Sequence, residues 1–252
     1  MIKRILLLLL IPAICFGGVV EQMNAVLATH GTAYPDITLW VNGEGVWSTP
    51  TYTLGASEYT VGDNTCTAIS AADINTDAVK IGTYGFDFPT AEDYFTIDVS
   101  GGDIINSTSG RIGRYYYIVT YNDYSILMEY YIDADNYFYI RSGGSEELVF
   151  VWKDGGTART NIGTSTTNLA TEQWYYVEAA WDTATNQRAI YVNGVEKLNS
   201  TVNEINSFAS ETGYYYMGNP SLNGEDGYGD QFINSNDKTR DLNALKDLTA
   251  KP

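Results

Sequence analysis

The stretch 173–198, QWYYVEAAWDTATNQRAIYVNGVEKL, reads as three strands joined by two turns. Tyr175, Val177, Ala179 and Trp181 fall on alternate positions, with Glu178 and Asp182 pointing the other way. That period of two is the pattern of a strand half buried in an antiparallel sheet. The polar run 182–187 supplies the first turn, and residues 189–192 lead into Asn193-Gly194, after which Val195 begins the return. Asn-Gly accepts the positive φ angles of a type I′ turn, whose twist matches the strands it joins. On this reading the stretch is scaffold, and its outward Glu178 and Asp182 are solvated carboxylates.

Working outward, the same texture fills most of the chain. Runs rich in Tyr, Thr, Val and Ile predict strands over 37–41, 79–82, 94–99, 114–121, 126–132, 137–141, 148–152, 174–181, 188–192, 214–217 and 231–234. Turn residues mark loops at 133–136, 143–144, 154–156 and 223–229. No helical period separates these runs, which implies an all-β fold of two antiparallel sheets packed as a sandwich. Residues 42–78, dominated by Gly, Thr and small polar residues, read as a long loop with one edge strand. Leu242, Leu245 and Leu248, three apart, suggest a short helix or turn in the tail.

Residues 1–17 carry a basic start (Lys3, Arg4), an apolar core and a small residue, Gly17, at a cleavage position. This is the pattern of an export signal, so the chain is expected to be secreted. Ile14 before Cys15 does not make a lipidation box. The expected organisation is therefore a signal peptide over 1–17, a leader over 18–33, a single sandwich domain over 34–240 and a tail over 241–252. A net charge of −17 argues against nucleic acid and anionic lipid as partners. No further apolar run is long enough to cross a membrane. With residues 1–17 removed, Cys66 is the remaining cysteine, so the core must hold the domain without an internal disulfide.

The strand WYYVEAAWD over 174–182 and the hairpin Val192-Asn193-Gly194 resemble the laminin G-like, concanavalin A-like jelly-roll domains. Lys80-Ile81-Gly82-Thr83-Tyr84-Gly85-Phe86-Asp87 is similar to a K-x-G-x-x-G-φ-D stretch of bacterial members, and Met217-Gly218-Asn219 to a φ-G-N segment. The run from Gly229 through Asp230, Gln231 and Phe232 to Ser235 resembles the closing strand, and Asp237 through Leu242 a tail seen in secreted relatives. In order, these cover about residues 34–248. The resemblance implies a jelly-roll sandwich, but that fold serves binding modules, adhesion proteins and glycan-cleaving enzymes alike.

Catalytic constellations of the enzymes on this fold are not found. Retaining glycosidases need two carboxyl groups about 5 Å apart, and the E-x-D-x-x-E strand that supplies them is missing. Glu129 with Asp133 and Asp135, and Glu178 with Asp182, have other spacings. The one histidine, His30, precedes the sandwich, which disfavours a His-dependent lyase or a Ser–His–Asp site. Nothing beside Cys66 lowers its pKa, so it reads as a buried inert thiol.

Two binding features remain. The resemblance implies a structural calcium where first and last strands meet, with Asp230 as carboxylate ligand and Glu44 and Gly45 opposite; a hard cation suits such oxygen donors. The chain also has 21 tyrosines, several in consecutive pairs on strands, so that one ring enters the core while its neighbour faces out. Tyr115, Tyr117, Tyr130, Tyr137 and Tyr139 are the expected ligand-binding set, because aromatic rings stack on the apolar faces of sugars. Tyrosine is also a good strand former, which would fill these positions without any ligand. The reading is a secreted, non-catalytic, lectin-like module binding carbohydrate. An adhesion or appendage subunit with an extracellular protein partner is the alternative, and a divergent polysaccharide lyase or hydrolase the third.

Overall fold

The computed structural model describes residues 37–41, 45–48, 51–53, 59–60, 66–90, 92–98, 105–120, 125–143, 147–164, 169–218 and 226–245. Among them run eighteen strands and one short helix. The strands are β1 (Ile37–Val41), β2 (Val46–Ser48), β3 (Thr51–Thr53), β4 (Tyr59–Thr60), β5 (Cys66–Ile69) and β6 (Asp73–Asn75). Then come β7 (Gly85–Phe88), β8 (Tyr94–Asp98), β9 (Ser109–Thr120), β10 (Ile126–Asp133), β11 (Asn136–Ser142) and β12 (Leu148–Asp154). Last are β13 (Thr157–Thr164), β14 (Trp174–Asp182), β15 (Gln187–Val192), β16 (Val195–Ser200), β17 (Tyr214–Gly218) and β18 (Asp226–Ser235), followed by helix α1 (Leu242–Leu245).

The strands form two antiparallel sheets, the all-β jelly-roll sandwich expected from the sequence. The first runs β16-β15-β14-β9-β18-β1-β4. The long β18 gives one edge to β9 and divides the other, its first half pairing β7 and its second half β1. The second sheet runs β13-β12-β11-β10-β17-β8-β5-β3-β2. Between the sheets, Tyr175, Val177, Ala179 and Trp181 of β14 enter the core, as their alternation predicts. There Trp181 meets Phe138 at 4.9 Å between ring centroids, and Trp152 stacks on Phe208 at 4.7 Å. Arg114 also lies inside, its guanidinium donating to the Leu127 carbonyl at 2.7 Å and sitting 5.2 Å from the Phe88 ring. Cys66 is buried and takes part in no disulfide.

The hairpin closes as the sequence indicates: Asn193 and Gly194 have φ of 51° and 76°, the left-handed pair a type I′ turn needs. Three readings are corrected. Residues 79–82 are not a strand: Gly82 turns with φ of 87°, and the amides of Lys80 and Ile81 point at a carboxylate instead of a neighbouring strand. The stretch 42–78 contains five short strands, β2 to β6, mostly too brief and too polar to show a period. The loop expected over 223–229 is strand from Asp226 onward. Its glycines mark close approach, not a turn, since a Cβ on Gly227 would stand 2.1 Å from the Tyr117 carbonyl oxygen.

The outward side of β14 also departs from expectation. Glu178 is fully buried and receives Nε and Nη2 of Arg111, each at 2.9 Å, while that guanidinium lies 4.1 Å from the Tyr191 ring. Asp182 is buried too, paired with Lys238 and accepting from the Ala184 amide and the Thr185 hydroxyl. The segment after β18, ending in α1, packs against β9, and its Leu242 is fully buried. Neither carboxylate is solvated. The tail helix forms over Leu242–Leu245, while residues 1–33, with the expected signal and leader, lie outside the described residues.

Candidate functional site: a tyrosine strip on the second sheet

On β10, β11 and β17 the residues alternate between core and outer face. Met128 and Tyr130, Phe138 and Ile140, and Tyr215 and Met217 enter the core. Glu129 and Tyr131, Tyr137 and Tyr139, and Tyr214 and Tyr216 therefore share the outer face. Register sets them in two rows across the strands. One reads Thr96–Tyr216–Glu129–Tyr139–Val151, the other Asp98–Tyr214–Tyr131–Tyr137–Lys153.

The rings of this strip touch. Tyr137 lies 5.8 Å from Tyr139 and 6.3 Å from Tyr131, with interplanar angles of 12° and 16°, so the three are nearly parallel. Tyr216 meets Tyr131, Tyr214 and Tyr94 at 5.7–6.3 Å with its edge or at a tilt. Most of these rings are half-buried, and Tyr214 is 46% exposed. Lys153 extends along the end of the strip with Nζ 5.4 Å from the Tyr137 centroid.

Glu129 stands between Tyr139 and Tyr216 in the middle of the first row, only 8% exposed. Burial pushes its carboxyl from 4.5 up to about 7, and no hydrogen bond or cation among the described residues offsets that cost. Its charge acts on the surrounding phenols. Tyr216 is pushed up to about 12, by burial first and by Glu129 second. Tyr137 and Tyr139 are also raised, with burial the main cause and Glu129 a contributor in each.

The five expected ligand tyrosines are divided among three places. Tyr137 and Tyr139 belong to this strip. Tyr130 is a correction: it is 0% exposed, packed against Phe138, Phe208 and Tyr215, with its hydroxyl donating to the Glu211 carbonyl. Tyr115 and Tyr117 lie on the outer face of the opposite sheet, beside Trp174 and Tyr228. There Tyr117 is half-buried and stacks on Tyr228 at 5.4 Å, whereas Tyr115 is 5% exposed beneath Lys80.

The misplacement of Tyr130 has a definite cause. The turn closes at Asp133↔Asn136, and a regular ladder from there would set Tyr130 opposite Tyr139. A bulge between Tyr131 and Asp133 moves the register by one, so Glu129 takes that place and Tyr130 turns inward. One extra residue exchanges the faces of everything beyond it. The members not expected from the sequence are Glu129 and Tyr131 of β10 and Tyr216 of β17.

At the expected calcium site, Asp230 is 1% exposed and its Oδ2 accepts from the amides of Lys80 and Ile81 at 2.9 and 2.7 Å. These donors meet the need of a buried carboxylate that a cation would otherwise meet. Gly45 donates its amide to the Tyr52 hydroxyl at 2.6 Å, and Glu44 lies outside the described residues. Among the described residues, no three His, Cys, Asp or Glu side chains converge on one point.

Residues 119–232 match the family model of the concanavalin A-like lectin/glucanases superfamily, a segment that contains the hairpin and most of the tyrosine strip. No curated protein matches the sequence. Among solved structures, the receptor binding domain of botulinum neurotoxin C/D mosaic serotype aligns with a TM-score of 0.63 at 10% identity, over 84% of this chain and 51% of that one. Domain 4 of a GH43 extracellular arabinanase from Geobacillus stearothermophilus, in complex with arabinotriose, aligns with a TM-score of 0.63 at 14% identity, over 86% and 98%. The binding domain of Paraclostridial Mosquitocidal Protein 1 aligns at 0.60 and 13%, over 85% and 51%. The chain spans about half the length of the two toxin domains and nearly all of the arabinanase domain. All three are binding domains or parts of larger proteins, and at these identities the likeness is one of fold.

Proposed function

We propose that this chain is an extracellular, non-catalytic recognition module that binds carbohydrate along the tyrosine strip of the second sheet. The observation that carries the reading is the strip itself: adjoining, partly open rings on one sheet face with a polar group among them. Aromatic faces take the apolar side of a sugar, and few polar groups suffice to fix its orientation. The arabinanase domain of the same fold, solved with arabinotriose, supports the sugar class. Export by the N-terminal segment belongs to the same proposal. A glycan array on the protein, followed by titration of the best hit, tests the reading. Retention of a glycan that Tyr137→Ala and Tyr139→Ala abolish and Tyr117→Ala leaves intact is the expected result. A blank array at millimolar glycan overturns it and leaves the protein-partner alternative.

A calcium ion at the Asp230 edge is carried in this proposal by the family resemblance alone. Thermal melting in calcium and in chelator separates the cases. A rise of several degrees with calcium supports the ion, and coincident curves remove it.

A further inference from the structure

We propose that Glu129 is the specificity residue of the tyrosine strip, and that the glycan it selects carries a protonated amino group. The inference rests on the strip being the sugar site, and deepens that reading by naming the ligand class.

Glu129 is placed on the outer face by strand alternation, yet its neighbours leave it 8% exposed. The groups around it are phenols: Tyr131 on its own strand, Tyr137 and Tyr139 on β11, Tyr214 and Tyr216 on β17. The basic side chains that share the face have other partners. Lys153 donates to the Ala134 carbonyl and lies 3.6 Å from Asp135. Arg141 donates to the Ser142 carbonyl at 3.0 Å and bonds the Tyr139 phenol. No donor among the described residues reaches the Glu129 carboxyl.

A buried carboxylate without a partner is costly, and the group that relieves the cost most is one of opposite charge. A sugar hydroxyl would give a hydrogen bond but leave the charge uncompensated. An ammonium gives a charge-assisted hydrogen bond to Glu129 and at the same time meets the electron-rich faces of the tyrosines. The rings then hold the sugar carbons and the carboxylate holds the nitrogen. The net charge of −17 works in the same direction, drawing a cationic polymer toward the protein and repelling an acidic one. Because burial raises the Glu129 pKa to about 7, an ammonium that arrives already protonated, as it does below neutral pH, releases the carboxyl proton to solvent.

The test is calorimetric titration of the full chain at pH 7 with a glucosamine oligosaccharide and with its N-acetylated counterpart. The wild type is expected to bind the amino form about tenfold or more tightly, the weight of a charge-assisted contact. Glu129→Gln is expected to bring the two ligands within about twofold of each other. Repeating the wild-type titration at about pH 6, where the free amine and Glu129 are both mostly protonated, in two buffers of different ionisation enthalpy should show proton release with the amino ligand and none with the acetylated one. That readout requires no variant to fold. Equal affinity for both ligands, a preference that survives Glu129→Gln, or no proton release overturns the inference. If either ligand binds and Tyr137→Ala weakens it, the strip stands as the sugar site even then. Binding of neither ligand overturns the inference, and the array decides whether the strip binds any sugar.

Discussion

Glu129 and Tyr130 are neighbours in sequence with opposite consequences. Glu129 has its carboxyl raised from 4.5 to about 7, so the folded protein holds a proton there that the unfolded chain has already lost. Below about pH 4.5 both states are protonated and the residue has no effect on stability. As pH rises toward 7 the unfolded state ionises first, and stability falls; above that, the buried charge costs about 3 kcal/mol. Glu129→Gln should therefore stabilise the protein by up to that amount at pH 8 and leave it unchanged at pH 4, as measured by urea unfolding. Tyr130 is pure core. Tyr130→Ala should cost about 3–5 kcal/mol, whereas Tyr137→Ala on the open strip should cost far less and act on ligand affinity.

Elements show what was legible before the structure. The β14–β15 hairpin followed from alternation and from Asn193-Gly194, because a half-buried strand and a type I′ turn both leave a mark on local sequence. The bulge in the β10–β11 hairpin left none. Ile132 packs against the core like any strand residue, yet its extra place in the ladder decides whether Tyr130 or Glu129 faces the strip. Short strands such as β3 and β6 were also hidden, since three residues cannot display a period. Glycine misled for a related reason: at Gly227 it allows two backbones to meet, while at Gly155 the same residue type permits a φ of 52° in open space. Gly227→Ala should destabilise by about 1–3 kcal/mol, the usual cost of overpacking, and Gly155→Asn should be nearly silent. Thermal melts of the two variants check the contrast. Glu178 and Asp182 read as solvated because their partners, Arg111 and Lys238, lie 67 and 56 residues away.

For the whole molecule, the fold was legible because each sheet packs one apolar face on the core and turns the other outward, and enough strands show which. The cover on the first sheet was less so. The segment ending in α1 packs on β9 with Leu242 fully buried, on the side where Glu178 meets Arg111. Leu242→Ala should cost about 2–5 kcal/mol, seen as a lower urea midpoint, without altering glycan affinity. The net charge acts at the same scale. Raising salt from about 0.01 M to about 0.1 M shortens the screening length from about 30 to about 10 Å. Association with a cationic oligosaccharide should slow accordingly, as stopped-flow fluorescence would show, while a neutral sugar should be indifferent.

The two rows of the strip run across the strands, so their rungs repeat at the strand spacing of about 4.8 Å. A polymer of identical sugars laid on identical rungs has many equivalent alignments, and each adds to the number of bound states. Rings alone would thus let a long chain slide and would reward length statistically, without choosing where the chain stops. A single charged rung breaks that translational degeneracy, because only alignments that bring an amine to Glu129 are favoured. For a sparsely aminated chain, the bound population would then count amines and not sugars.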